Sequence, residues 1–82
     1  MKRRAMVAHI IRYSGEYGGE LPLSASTKDG LYELADAVDV ARTTGQESLE
    51  TVERALLQSI NDHIGFGAKA LFSAWCTVLE TR

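Results

Sequence analysis

Residues 49–79 read LETVERALLQSINDHIGFGAKALFSAWCTVL, and the fold turns on how this stretch is taken. Leu49, Val52, Leu56, Ile60, Ile64, Leu71, Trp75 and Val78 follow one another at steps of three or four, with Gly67 filling the one gap. That spacing lines one face of an α-helix, and no proline interrupts it. A second apolar line of Leu57, Ala68, Phe72 and Leu79 runs alongside, so the helical surface is wider than one short neighbour covers. Gly65 and Gly67 sit near the middle, where each costs about 1 kcal/mol relative to alanine in a helix interior. Either the helix bends there or Gly65 ends it in a left-handed conformation. Because no Ser, Thr or Asp follows to cap a new helix, the expectation is one continuous helix over residues 46–81, bent near 65–67. In that helix Gly67, Ala70 and Ala74 form a smooth strip that a second helix can approach closely.

Upstream, Ser26 followed by Asp29 has the form of a capping box and predicts a first helix over residues 26–43. Leu31, Leu34, Ala35, Val38 and Ala41 make its inner stripe, and Asp29, Glu33 and Asp36 share another face. That acidic face reads as solvated surface, or alternatively as a docking surface for a basic partner. Residues 43–46 form a short turn, after which Thr44 or Ser48 can cap the next helix. Two helices joined so briefly lie antiparallel. The first reaches about 24 Å and the second, if unbroken, about 54 Å, so half of the long helix overhangs.

Residues 1–25 form an N-terminal segment and a loop. Within it, residues 5–13 fit two patterns: Met6, Val7, Ile10 and Ile11 a helical face, Val7, His9, Ile11 and Tyr13 one side of a strand. Helix is the expectation, with Ser14 and Gly15 as its stop, because no clear strand stands ready to pair with this one. A strand here would have to pair with residues 20–23 or with another copy of the chain. Gly18, Gly19 and Pro22 mark the loop, with Leu21 and Leu23 as its anchors.

The fold class is therefore all-α: an antiparallel helical hairpin with a short N-terminal helix or strand, in one small domain. An 82-residue chain buries only about 60 to 70% of its unfolded surface and is marginal alone. Small proteins add disulfides, a metal or a second subunit. The single Cys76 can form no bridge within the chain, and no His and Cys residues have zinc spacing. Dimerisation is the device left, and the surface expected to carry it is Leu56, Ile60, Ile64, Phe66, Gly67, Leu71, Phe72, Trp75 and Val78. Phe66, Phe72 and Trp75 dominate that set, each worth about 1.5 to 3 kcal/mol if fully buried. Their other readings are intramolecular core against the N-terminal segment and a docking surface for a foreign partner.

The net charge of -2 hides an asymmetry. Lys2, Arg3, Arg4 and Arg12 precede every acidic residue, and beyond them five bases face eleven acids. An acidic body repels phosphate, so nucleic acid binding would depend on that basic tip alone. The tip followed by Ala5 to Ile11 only weakly imitates a secretory signal, since its apolar core is short, contains His9 and lacks a cleavage pattern. No apolar run nears the roughly 20 residues that span a bilayer, which predicts a cytoplasmic protein, with a peripheral membrane anchor as the minor alternative.

Candidate chemistry is sparse. Asp62 and His63 are neighbours, but adjacent helical side chains point about 100 degrees apart and do not orient one another. His63 lies near the inner stripe and reads as a packed or interfacial residue. Cys76 lacks an evident cation or helix start to activate it, so it reads as a buried spectator. Residues 65–69 lack the spacing of a phosphate loop, and the glycines at 15, 18 and 19 lack the context of a dinucleotide loop. No cofactor is implied.

A short loop, a helix containing residues 30–41, a tight turn and a longer helix with Ala68, Lys69, Ala70 and Leu71 resemble short bacterial two-helix proteins of unassigned function. The resemblance covers residues 23–75 and leaves out the basic N-terminal segment. Small helical proteins of this type are also similar to inhibitors and anti-activators, phage-encoded ones included, that disable a larger protein by occupying its surface. The uncovered apolar face and the missing catalytic constellation point to a non-enzymatic helical homodimer that binds another protein and regulates or inhibits it. The competing reading is a nucleic-acid-associated regulator using Lys2, Arg3, Arg4 and Arg12.

Overall fold

The computed structural model describes residues 2–16 and 23–80, and in them the backbone forms four α-helices and no strand. These are α1 (Arg3–Glu16), α2 (Ala25–Thr44), α3 (Leu49–His63) and α4 (Phe66–Glu80). The loop residues Tyr17, Gly18, Gly19, Leu21 and Pro22, and the side chains of Tyr13 and Leu79, lie outside the described parts.

Helical spacing wins in the N-terminal segment: Met6, Val7 and Ile10 are fully buried on one face of α1, while His9 is exposed. Ser14 and Gly15 do not stop this helix, which continues to Glu16. One such residue costs under about 1 kcal/mol in a helix. The second helix starts earlier than the Ser26–Asp29 pattern suggests. Ser24 is its N-cap, accepting the amide of Thr27 at 3.1 Å and donating to the Thr27 hydroxyl at 2.9 Å. At the other end Gly45 adopts φ 65°, and its N–H and that of Gln46 converge on the Ala41 carbonyl. A left-handed residue at this position favours glycine, because a Cβ would meet the following carbonyl. Neither proposed cap of the next helix acts as one. Thr44 belongs to α2 and donates to the Val40 carbonyl, and Ser48 stands at the start of α3 without a side-chain cap bond.

The long bent helix is the main correction. The stretch over residues 46–81 is two helices, α3 and α4, joined through Ile64 and Gly65. The N–H groups of Ile64 and Gly65 both reach the Ile60 carbonyl, Gly65 takes φ 141°, and α4 folds back beside α3. A rod of about 54 Å would exceed the molecule, whose longest dimension is 37 Å. The missing cap at the start of α4 was a weak signal, since a cap is worth about 1 kcal/mol. Folding back buries Leu56, Ile60 and Phe72 together, which is worth several times as much.

The chain runs round a ring: α1 packs on α2 and α4, and α3 packs on α2 and α4. Arg3 at the start of α1 meets Asp39 near the end of α2, and Arg42 near the end of α2 meets Glu53 near the start of α3. Successive helices therefore alternate in direction. Met6, Val7 and Ile10 of α1, Leu31, Ala35 and Val38 of α2, Leu56 and Ile60 of α3 and Phe72 of α4 fill the space between them. Leu23, Leu34, Leu57, Ala68, Leu71 and Trp75 pack around this centre from partly buried positions. Thus α2 and α3 pack together, with α4 against α3 and α1 against α2.

Candidate functional site

The nine residues expected at an interface divide by depth. Leu56, Ile60 and Phe72 are buried in the chain's own core and offer nothing to a partner. Leu56 and Ile60 were read correctly as one helical face, but α2 and the returning α4 pack on α3 and cover it from within the chain. Ile64, Leu71 and Trp75 are half-buried and packed against the core. Phe66, Gly67 and Val78 are exposed, Phe66 at 73% and Val78 at 53%.

These exposed residues belong to one surface. On α4 the described residues open to solvent are Phe66, Gly67, Ala70, Ala74, Thr77 and Val78, and none is charged. The outward faces of the other helices differ. That of α3 carries Glu50 and Arg54, paired at 3.1 Å, and Asp62, which accepts from Gln58 at 2.8 Å. That of α2 carries Asp29 and Glu33, and that of α1 carries Arg4 and Arg12. Charge patterning thus sets α4 apart: its fully exposed described residues are uncharged, and among its described side chains the one charge is that of the half-buried Lys69. Across the rim towards α1, the exposed His9 ring meets Trp75 edge to face at 5.0 Å, a favourable arrangement for aromatic pairs.

The basic tip is corrected in part. Arg3 is 5% exposed, and its guanidinium donates to Asp39 at 3.0 Å. Its backbone N–H donates to the other Asp39 oxygen at 3.0 Å, so Asp39 also supplies an acceptor at the start of α1. Burial works against the charge of Arg3, but hydrogen bonding to Asp39 and interaction with the Cys76 sulfur outweigh it and raise the Arg3 pKa above its ordinary value. Arg4 donates to Asp36 at 2.7 Å and lies over the Tyr32 ring at 4.9 Å. Two of the four bases expected to contact phosphate are therefore engaged by carboxylates of α2, Arg3 by Asp39 and Arg4 by Asp36, and Lys2 and Arg12 are exposed. The Arg4 pair accounts for Asp36, which was read with Asp29 and Glu33 as a solvated or docking surface.

Cys76 is half-buried rather than buried, and it faces a cation that sequence reading missed. Seventy-three positions separate it from Arg3, and no local pattern could have paired them. The two residues line a shallow cavity of about 180 Å³ together with Glu53, Leu57, Ser73 and Thr77. Drug-sized ligands occupy about 300 to 1,000 Å³. His63 is exposed at the end of α3, away from the inner stripe on which it was placed. Among the described residues no three His, Cys, Asp or Glu side chains gather as a metal site, and no helix is long and apolar enough to cross a membrane.

Comparison with known proteins gives no match: no family model, no curated protein and no solved structure is similar to this chain.

Proposed function

We propose that this protein is a non-enzymatic, protein-binding regulator of the inhibitor or anti-activator kind, which acts as a helical homodimer through the outer face of α4. The observation that carries the reading is the contrast between that face and the rest of the molecule. Phe66, Gly67, Ala70, Ala74 and Val78 present apolar surface without a single charge among them, whereas α1, α2 and α3 turn charged residues outward. Contiguous exposed apolar surface marks interaction sites more often than chance placement does. Charge depletion with an aromatic anchor is the composition of an interface centre.

A Phe66→Ser, Val78→Ser variant tests this directly. Both side chains are exposed, so the variant should keep the helical circular dichroism and melting temperature of the parent. It should lose self-association in sedimentation experiments and lose capture of any protein that the parent retains from its source cell. A parent that stays monomeric and captures nothing the variant does not capture would end this reading.

A further inference from the structure

We infer that the side of the bundle made by α1 and α4 binds the surface of an anionic lipid bilayer, with Phe66 and Val78 entering the headgroup layer and Lys2 and Arg12 meeting the lipid charges. The inference goes beyond the dimeric reading and does not rest on it, although a bilayer and a second copy would compete for α4.

The fold sorts the charges by side. Residues 2–16 and α4, which pack together, hold five bases against two carboxylates, a formal charge of +3. Residues 25–63, which form α2, α3 and the turn between them, hold three bases against eight carboxylates, a formal charge of -5. The two carboxylates of the first group belong to Glu16 and Glu80, each the last residue of its helix, and the described side chains of α1 and α4 include none. The pairs of Arg3 with Asp39 and of Arg4 with Asp36 join the two sides along one seam. A chain of net charge -2 therefore has a basic side. A helix is about 10 Å across, more than the Debye length of about 8 Å at physiological salt, so a surface resting on α1 and α4 is largely screened from the acids behind them.

Bases and apolar groups lie side by side there. Arg3 lines the same cavity as Cys76 and Thr77, which puts the start of α1 beside the end of α4. Lys2 thus stands towards Val78, and Arg12, about 15 Å further along α1, stands towards Phe66. The half-buried Lys69 follows Phe66 by one turn, and its alkyl stem is long enough to carry the ammonium out to a headgroup. Exposed bases beside an uncharged strip with an aromatic anchor are the composition of a helical surface that lies in a membrane interface. Among the described residues no helix is long and apolar enough to cross a membrane, so the contact is adsorption.

Shape then favours lipid over an acidic protein. Phe66 is 73% and Val78 53% exposed, and a protein partner would have to bring pockets fitted to both. Acyl chains receive any apolar side chain without a fitted pocket. Duplex DNA satisfies the bases but leaves the apolar strip uncovered.

The test is flotation of the full chain with vesicles of phosphatidylcholine containing about 30% phosphatidylserine, at lipid up to about 5 mM, against vesicles of phosphatidylcholine alone. Binding to the anionic vesicles should be at least about tenfold stronger and should fall as salt is added. Each base held at such a surface is worth about fivefold, so Lys2→Gln combined with Arg12→Gln should weaken binding about 25-fold. Phe66→Ser should weaken it about tenfold. Arg54→Gln removes the same charge as Lys2→Gln but from the acidic side, and should change binding less than about twofold. All four side chains are exposed, so circular dichroism should stay that of the parent. Equal binding to both kinds of vesicle, no binding, or a loss from Arg54→Gln as large as that from Lys2→Gln overturns the inference. Stronger retention on immobilised polyglutamate than on the anionic vesicles at equal salt assigns the face to an acidic protein and overturns it too. A parent that dimerises in sedimentation but ignores the vesicles overturns the bilayer alone; one that floats with them and never dimerises overturns the dimeric reading alone.

Discussion

Removing the Asp39 carboxylate, by Asp39→Ala, probes the contact that ties α1 to the bundle. The change deletes two bonds at once, from the Arg3 guanidinium and from its backbone N–H, each 3.0 Å long. It also leaves a guanidinium whose side chain is 7% exposed without its carboxylate. Stranding a fully buried charge costs about 3 to 5 kcal/mol. Here the Asp39 side chain is 27% exposed, so water entering behind it would solvate Arg3 in part, and Cys76 stays beside the guanidinium. The expected loss is therefore about 2 to 3 kcal/mol, or about 10 to 20 °C in melting temperature for a chain of this size. Asp36→Ala is the control. Its pair with Arg4 is shorter, at 2.7 Å, but the two side chains are 46% and 56% exposed, and such pairs contribute under about 1 kcal/mol. Urea unfolding followed by far-ultraviolet circular dichroism gives both values. Adding Arg3→Met to Asp39→Ala should recover part of the loss, because the buried charge that lost its carboxylate is then gone as well. The reasoning is refuted if Asp39→Ala costs no more than Asp36→Ala, or if the Arg3 and Asp39 losses simply add.

Three further outcomes follow from other contacts. The raised Arg3 pKa means that its contribution is fully present below the ordinary arginine value and is lost only as pH rises through the still higher folded value. The gap between parent and Arg3→Met stability should thus stay flat from about pH 6 to pH 9, where a guanidinium is always charged; a gap that closes over that range would contradict the assignment. Gly65→Ala should destabilise by about 1 to 3 kcal/mol in urea unfolding, entirely through the backbone, because φ is 141° and an added Cβ would touch nothing within 4 Å. With Arg3 and Arg4 engaged by α2, retention on duplex DNA should be weak and its log–log salt slope no steeper than about -2, the value for two phosphate contacts from Lys2 and Arg12. A slope of about -4 would mean that the ion pairs open to release all four bases.

Helix content and the inner stripes were legible because they depend on spacing alone. Leu31, Ala35 and Val38, or Leu56 and Ile60, recur at steps that any amphipathic helix shows, and all are buried. What spacing does not encode is which copy of the chain covers a stripe. The bent-helix expectation weighed two glycines and an absent cap, effects of about 1 kcal/mol each, and left out the burial gained when Phe72 folds back onto Leu56 and Ile60. It therefore assigned to a partner three residues that the monomer keeps for itself. The basic tip was misread for a related reason. Charge segregation along the chain was taken as an outward-facing property, yet residues 3 and 39, 36 positions apart, neutralise each other across two helices. The uncharged outer face of α4 was half visible: Gly67, Ala70 and Ala74 emerged as a strip, but its isolation among charged faces needed the other three helices in place.

Because Arg3 is sealed between helices at the first residue of α1, a protease specific for basic residues has no purchase on its side chain while the bundle is shut. Trypsin needs several residues drawn out straight before it can cut. Nicking after Arg3 therefore counts the moments when the first helix lifts away, and its rate, set beside that after Arg54 within α3, ranks the opening of the two helices.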